Sequence, residues 1–300
     1  MTERSETVGF IGLGVMGSAM AGHLLNEGFS LVIYDIDQAK CRPLVSNINC
    51  LSAETPAEVM RLSSRLITML PTSDHVDTVL FGNNGITSEI KSGDLILEMS
   101  TGKVDQLEQQ AKRIEAYKAV LIDAPVCLSP VEAATGELIA LVGGDLESMQ
   151  SADEILASLS KRIIHAGPTG FGLRLKLINN YMSMVNHVLT GEVLALAKAV
   201  GLDRTMTVGL LQSTAAGRGQ LGTNYLKKVL QGDTTADFSV DMGIKDLSMS
   251  ISMLEEFQDI ASFGIMARNL FREASKEGYG MKDCTAILEY FDEKISRSSG

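Results

Sequence analysis

Two stretches of the sequence carry residue types at spacings that could do chemistry. The first is Gly12-Leu13-Gly14-Val15-Met16-Gly17, a G-x-G-x-x-G turn between the apolar run Val8–Ile11 and a helical stretch over 15–26, with a second apolar run ending in Asp35. In that context each glycine has a task. Gly12 permits a tight turn, Gly14 lets backbone approach a pyrophosphate, and Gly17 allows a helix to pack close on a strand. The helix then presents its unpaired N–H groups to the diphosphate. Asp35 is expected to accept hydrogen bonds from the adenosine ribose. Tyr34-Asp35-Ile36-Asp37 contains no Arg or Lys to receive a 2′-phosphate, so the expected cofactor is NAD rather than NADP.

The second stretch is helical. Lys176, Asn179, Asn180, Ser183 and His187 fall on one stripe, while Leu175, Ile178, Met182, Val185 and Leu189 make an apolar face. A merely solvated stripe would carry Glu, Lys and Gln; short amides and hydroxyls suit the lining of a cleft. Lys176 follows soon after Gly172, where the positive end of the helix dipole disfavours an ammonium group. It is therefore the expected general acid–base group, exchanging a proton near neutral pH. The other candidates read as structural. His23, His75, His165 and His187 have no Asp partner in a motif, and Tyr290 and Lys294 match a Y-x-x-x-K spacing by chance. Cys127 is expected to be a small buried residue, because its loop offers no cation to make a thiolate reactive.

The elements that must position these residues follow from length and pattern. The chain has 300 residues, enough for about two domains, with 45 % hydrophobic and 21 % charged residues. A net charge of −11 argues against nucleic acid or an anionic membrane as partner. Four cysteines without C-x-x-C spacing argue against a disulfide framework, and no metal site is expected. Residues 7–26 carry no formal charge, but Glu3-Arg4-Ser5-Glu6 is not a basic lead-in and glycines interrupt the run, so the chain reads as cytoplasmic. Val8–Ile11, Leu31–Asp35, Arg65–Leu70, Asp94–Met99, Val120–Pro125 and Leu138–Val142 read as strands of a parallel sheet buried on both faces. Beyond the breaker cluster Gly167–Gly172 the chain reads as helical: a long segment to Val200, then pieces near 203–213, 219–231, 240–257, 262–277 and 283–294, and a frayed Ser-rich tail at 296–300. The expected fold is α/β: a Rossmann-type domain over 1–167, then an all-α domain over 168–300 entered through a long helix.

These motifs together resemble the β-hydroxyacid dehydrogenase family. The likeness runs through Phe10–Gly17, Thr68-Met69-Leu70-Pro71, Met99-Ser100-Thr101, Asp123-Ala124-Pro125-Val126, Ala133 and Gly136, Gly172–Asn180 and Lys245-Asp246-Leu247. It implies that Val15, Met16, Asp35, Leu70, Pro71, Thr101 and Lys245 contact the dinucleotide. It further implies that Lys176 is the acid–base group, that Asn180 holds substrate, and that the protein forms dimers or tetramers. One segment departs from the pattern. Where the family usually has Ser-Gly-Gly to cradle a carboxylate, this chain has Cys127-Leu128-Ser129-Pro130. A branch it resembles, the sulfolactaldehyde reductases, also lacks Ser-Gly-Gly and has an Arg-Thr pair where Leu128-Ser129 stand here. The expected pocket is thus built from Ser129, Asn179, Asn180 and Ser183, with Leu128 at its border. The expected reaction interconverts a small acidic aldehyde and its 3-hydroxy acid or hydroxy-sulfonate. The alternatives are a 3-hydroxyisobutyrate- or 4-hydroxybutyrate-type dehydrogenase, or a catalytically silent nucleotide-binding module.

Overall fold

A computed structural model describes residues 7–254, 256 and 259–298. Residues 3–6, positions 255 and 257 of the stretch expected to be helical over 240–257, and residues 299–300 of the tail lie outside them. Among the described residues nine strands form one sheet: β1 (Thr7–Ile11), β2 (Ser30–Tyr34), β3 (Cys50–Ser52), β4 (Arg65–Thr68), β5 (Leu95–Glu98), β6 (Val120–Asp123), β7 (Val126–Cys127), β8 (Leu138–Gly143) and β9 (Ser160–Gly167). The order is β3-β2-β1-β4-β5-β6-β8-β7, with β9 on β8. From β3 to β6 every pair is parallel.

Continuous apolar strands mean burial on both faces, and the side chains alternate between two cores. Phe10, Leu31, Ile33, Ile67, Leu97 and Ile122 point into one cluster. Ile11, Val32, Leu66, Ile96 and Leu121, their immediate neighbours, point into the other. The flanking helices are α1 (Val15–Asn26), α2 (Pro56–Arg61), α3 (Ser73–Phe81), α4 (Val104–Glu115), α5 (Pro130–Ala133), α6 (Leu146–Ser151) and α7 (Asp153–Leu159).

The parallel pattern stops at β8, which runs antiparallel to both β6 and β7. The connection from β7 to β8 holds only the short α5 and a turn at Gly136 (φ +69°), less than a parallel crossover needs. The strand expected over Val120–Pro125 is also shorter than its apolar run. It ends at Asp123, and the chain re-enters the sheet as the two-residue β7.

Chain contacts divide the protein into two compact units, Met1–Met182 and Ser183–Gly300, the division falling inside the 29-residue helix α8 (Phe171–Ala199). The second unit contains α9 (Arg204–Ser213), α10 (Ala215–Arg218), α11 (Val240–Met253), α12 (Ser262–Ala274) and α13 (Ile287–Ser298). Val240, Ala274, Tyr279, Ala286 and Tyr290 form a core there. The helix expected over 219–231 is instead two short turns, Leu221–Tyr225 and Val229–Gln231, bracketed by left-handed glycines at 219 and 232. Tyr290 and Lys294 both bond Glu273, at 3.0 Å each, so their spacing serves packing of α13 on α12. No helix among the described residues is long and apolar enough to cross a membrane.

Candidate active site

The turn between β1 and α1 is sterically reserved for glycine. Gly12 has φ +100°, and a Cβ there would run into the carbonyl oxygen of Met69. A Cβ on Gly17 would run into the carbonyl oxygen of Gly12. Gly14 is different: a Cβ would meet nothing within 4 Å, so its face opens outward. No side chain caps α1, which leaves its first N–H groups to an incoming acceptor. The turn borders a cavity of about 620 Å³ lined by Gly12, Gly14, Val15, Met16, Gly17, Asp35, Lys40, Leu70, Pro71 and His75 among others. Val15 stays 78 % exposed beside it, an apolar side chain available for a flat ring.

Asp35 braces this turn as well as facing the cavity. Its carboxylate accepts the N–H of Leu13 at 2.7 Å and of Asp37 at 2.9 Å, and pairs with the Lys40 ammonium at 3.3 Å. The sequence reading found no cation in residues 34–37; the structure brings one from residue 40, beyond that window. Leu70 is fixed by its N–H, which donates to Ser100 Oγ at 2.8 Å. Thr101, by contrast, is exposed after β5 and does not line the cavity. Lys245 lies on α11 in the second unit and pairs with Asp246 at 3.2 Å. The open Gly14 face, the uncapped helix and the ribose-side acid fit a dinucleotide.

Lys176 sits in the second turn of α8, and its Nζ lies 3.9 Å from Cys127 Sγ at the end of β7. Cys127 is half-buried rather than fully buried, and although its own loop holds no cation, α8 brings one to it. The cation comes from a different element, far along the chain, where a reading of the loop alone cannot see it. Asn179 donates to Asn180 at 3.3 Å, and Asn180 and Ser183 are half-buried. Leu128 adopts φ +87°, a conformation that favours glycine, and remains exposed. Ser129 caps α5: its hydroxyl accepts the N–H of Val131 at 3.2 Å and donates to Glu132 at 2.5 Å, while its own N–H donates to Glu132 at 3.0 Å. Three of the histidines bond backbone carbonyls: His23 with Ser158, His165 with Gly144, His187 with Ser183.

Two buried carboxyls have no role in the sequence reading, although Asp123 opens one of the family motifs. Glu98 and Asp123 sit opposite each other at the ends of β5 and β6. Burial pushes Glu98 up to about 7, against hydrogen bonds from Ser100 and Thr68 and with help from the negative charge of Asp123. Burial likewise raises Asp123 to about 6, although the N–H groups of Gly170 and Leu173 pull the other way. The available signal was an acid closing each of two apolar parallel strands, where ligand crevices of such sheets form.

Comparison with known proteins places this geometry in a lineage. Residues 7–167 match the NAD binding domain of 6-phosphogluconate dehydrogenase, and residues 170–291 match the NAD-binding domain model of NADP-dependent 3-hydroxyisobutyrate dehydrogenase. The chain is 36 % identical over 282 residues to 3-sulfolactaldehyde reductase of Escherichia coli, covering 94 % of each. It is 30 % identical to mitochondrial 3-hydroxyisobutyrate dehydrogenase of Mus musculus, covering 96 % of this chain and 87 % of that one. In fold it is similar to an imine reductase variant of Myxococcus stipitatus in complex with NAD+, with TM-score 0.85 at 20 % identity over 96 % of this chain and 99 % of that one. The glycine turn, the sheet order and both halves of the chain thus agree on one ancestry: the protein belongs to the β-hydroxyacid dehydrogenase family and is an NAD-dependent oxidoreductase.

Proposed function

We propose that the protein interconverts a three- or four-carbon aldehyde bearing a carboxylate or sulfonate and the corresponding primary alcohol, with Lys176 as general acid–base group. The observation that carries this reading is the position of the Lys176 amine beside Cys127, at the loop where the family cradles its substrate. Bound NAD(H) supplies or accepts the hydride. Lys176 gives the carbonyl oxygen its proton in reduction and takes it back in oxidation. Gly12, Gly14, Val15, Met16, Gly17, Asp35, Leu70 and Pro71 hold the dinucleotide. Residues 1–167 act as the nucleotide domain and 168–300 as the helical domain.

A sulfonate is favoured over a carboxylate as the anion. The 36 % identity to 3-sulfolactaldehyde reductase exceeds the 30 % to the hydroxyisobutyrate enzyme. The backbone cradle is also altered, since the Ser129 N–H is taken by Glu132 and Pro130 has none to offer. Asn179, Asn180 and Ser183 then carry the recognition, with Leu128 and Ser129 bordering the pocket. Following NADH oxidation with sulfolactaldehyde and with succinic, malonic and tartronic semialdehydes tests this. Highest kcat/KM is expected for sulfolactaldehyde, and no turnover with any of the four would sink the proposal.

The protein acts as a homodimer or homotetramer. On α8, Ile178 and Tyr181 are 69 % and 73 % exposed, and Leu175, Met182 and Leu189 are exposed with them. An apolar helix face of this kind calls for a covering surface. Light scattering on the purified protein should give a mass of at least twice 32.2 kDa.

A further inference from the structure

We propose that Asp123 is a positioning residue for catalysis, the group that fixes the start of α8 and thereby places the Lys176 amine. The inference rests on Lys176 being the acid–base group.

A helix leaves its first N–H groups without partners, and a side chain at the preceding position usually satisfies them. The residue before α8 is Gly170, which has φ +91° and no side chain. Asp123 supplies what Gly170 lacks. Its Oδ1 accepts the N–H of Gly170 and its Oδ2 the N–H of Leu173, both at 2.6 Å, across 47 and 50 residues of chain. One carboxylate from β6 thus does the work that a capping box divides between two residues of the same helix.

The surroundings are shaped for it. Asp123 is 1 % exposed. A Cβ on Gly143 would run into its Oδ1, and one on Gly172 would come within 2.9 Å of its Oδ2. Both neighbours are glycine, and the carboxylate has room only because of that.

Geometry links this clamp to Lys176 from two sides. Leu173 is held by Asp123, and Lys176 follows it by about one helical turn. Cys127, which meets the Lys176 amine at 3.9 Å, follows Asp123 on the same short segment. Asp123 is therefore the common origin of the helix carrying the amine and the strand facing it. Displacement of the helix start would carry the amine away from the reacting oxygen, and misplacement by about 1 Å can cost on the order of 10²-fold in rate.

The test is a double-mutant cycle. Asp123→Asn keeps the size but turns one acceptor into a donor facing an N–H. With sulfolactaldehyde and NADH, kcat should fall by roughly 10–10²-fold while KM and the NADH Kd stay within about twofold. Hydrogen exchange over residues 170–176 should quicken. In a Lys176→Ala background the same substitution should cost less than about twofold, because there is no amine left to misplace. An equal loss in both backgrounds, or an unchanged kcat in the single variant, would overturn the proposal. Should Asp123→Asn fail to fold, Gly143→Ala replaces it: its methyl presses on Oδ1 with Asp123 retained. The same kcat-selective loss, absent when Lys176 is Ala, supports the role, and an unchanged kcat refutes it. If Lys176→Ala alone keeps near-wild-type turnover, it is the acid–base reading that has failed, and the exchange data still report whether Asp123 holds the helix.

Discussion

The ammonium of Lys176 and the thiol of Cys127 face each other at 3.9 Å, one on the second turn of α8 and the other at the end of β7. If the amine carries the proton chemistry, Lys176→Ala should lower kcat by about 10²–10⁴-fold, the usual weight of a positioned proton donor. NADH binding should persist, since the glycine turn is untouched. Cys127→Ser should keep kcat within about threefold of wild type, because a hydroxyl can sit against an ammonium as a thiol does. Steady-state rates and NADH fluorescence titration of both variants check this. A dead Cys127→Ser beside an active Lys176→Ala would reverse the two roles.

Ser129 and Ser183 should separate under the same substitution. The Ser129 hydroxyl is engaged in the cap of α5 with Glu132, so Ser129→Ala should cost about 1 kcal/mol of stability. Ser183→Ala, on the polar stripe of α8, should instead raise KM with little change in kcat, as loss of uniform binding does. Urea melts and initial rates on the two variants distinguish the outcomes. A rise in KM for Ser129→Ala without loss of stability would mean that its hydroxyl leaves the cap for substrate.

The nucleotide half was legible in the sequence because its signals are local. Gly12, Gly14 and Gly17 sit within one turn, and each has the steric environment that its spacing implied. The strands β1, β2, β4, β5, β6 and β8 announced themselves as apolar runs, whereas β3 and β7 are too short to show a pattern. What escaped was non-local or polar. Lys40 reaches Asp35 from just beyond the motif, and Asp123 caps a helix 47 residues away. The Ser129 cap was readable in principle, since Ser-Pro-Val-Glu is a capping-box pattern. The family resemblance assigns that serine to substrate, and the structure shows its hydroxyl engaged in the cap.

Cofactor choice turns on Asp35 and Lys40. With the carboxylate present, a 2′-phosphate would meet negative charge at the ribose position, so NADH should exceed NADPH by about tenfold or more in kcat/KM. Asp35→Asn removes that charge and releases Lys40 from its 3.3 Å ion pair. The ratio should then fall toward unity, with NADPH gaining through the freed ammonium as well as NADH losing a ribose acceptor. Paired kcat/KM measurements with the two cofactors check it. Comparable rates in the wild type would move the ribose site away from Asp35.

Glu98 should make stability depend on pH in a direction opposite to that of a salt-bridged acid. Burial holds its carboxyl at about 7, above the ordinary 4.5, so the folded state favours the protonated form. Its contribution is therefore fully present below about 4.5 and is lost as pH rises through 7. At 1.36 kcal/mol per unit, the loss is on the order of 3 kcal/mol. Glu98→Gln imitates the protonated acid: its oxygen can accept the Ser100 N–H and its amide can bond Thr68. The variant should be more stable than wild type at pH 8 and nearly equal to it at pH 5, so the gap between their urea midpoints should widen as pH rises. The negative charge of Asp123 adds to the effect, and removing it by Asp123→Asn should narrow that gap. A gap that stays constant from pH 5 to 8 would show that Glu98 is ionised throughout, with Thr68 and Ser100 donating to a full carboxylate.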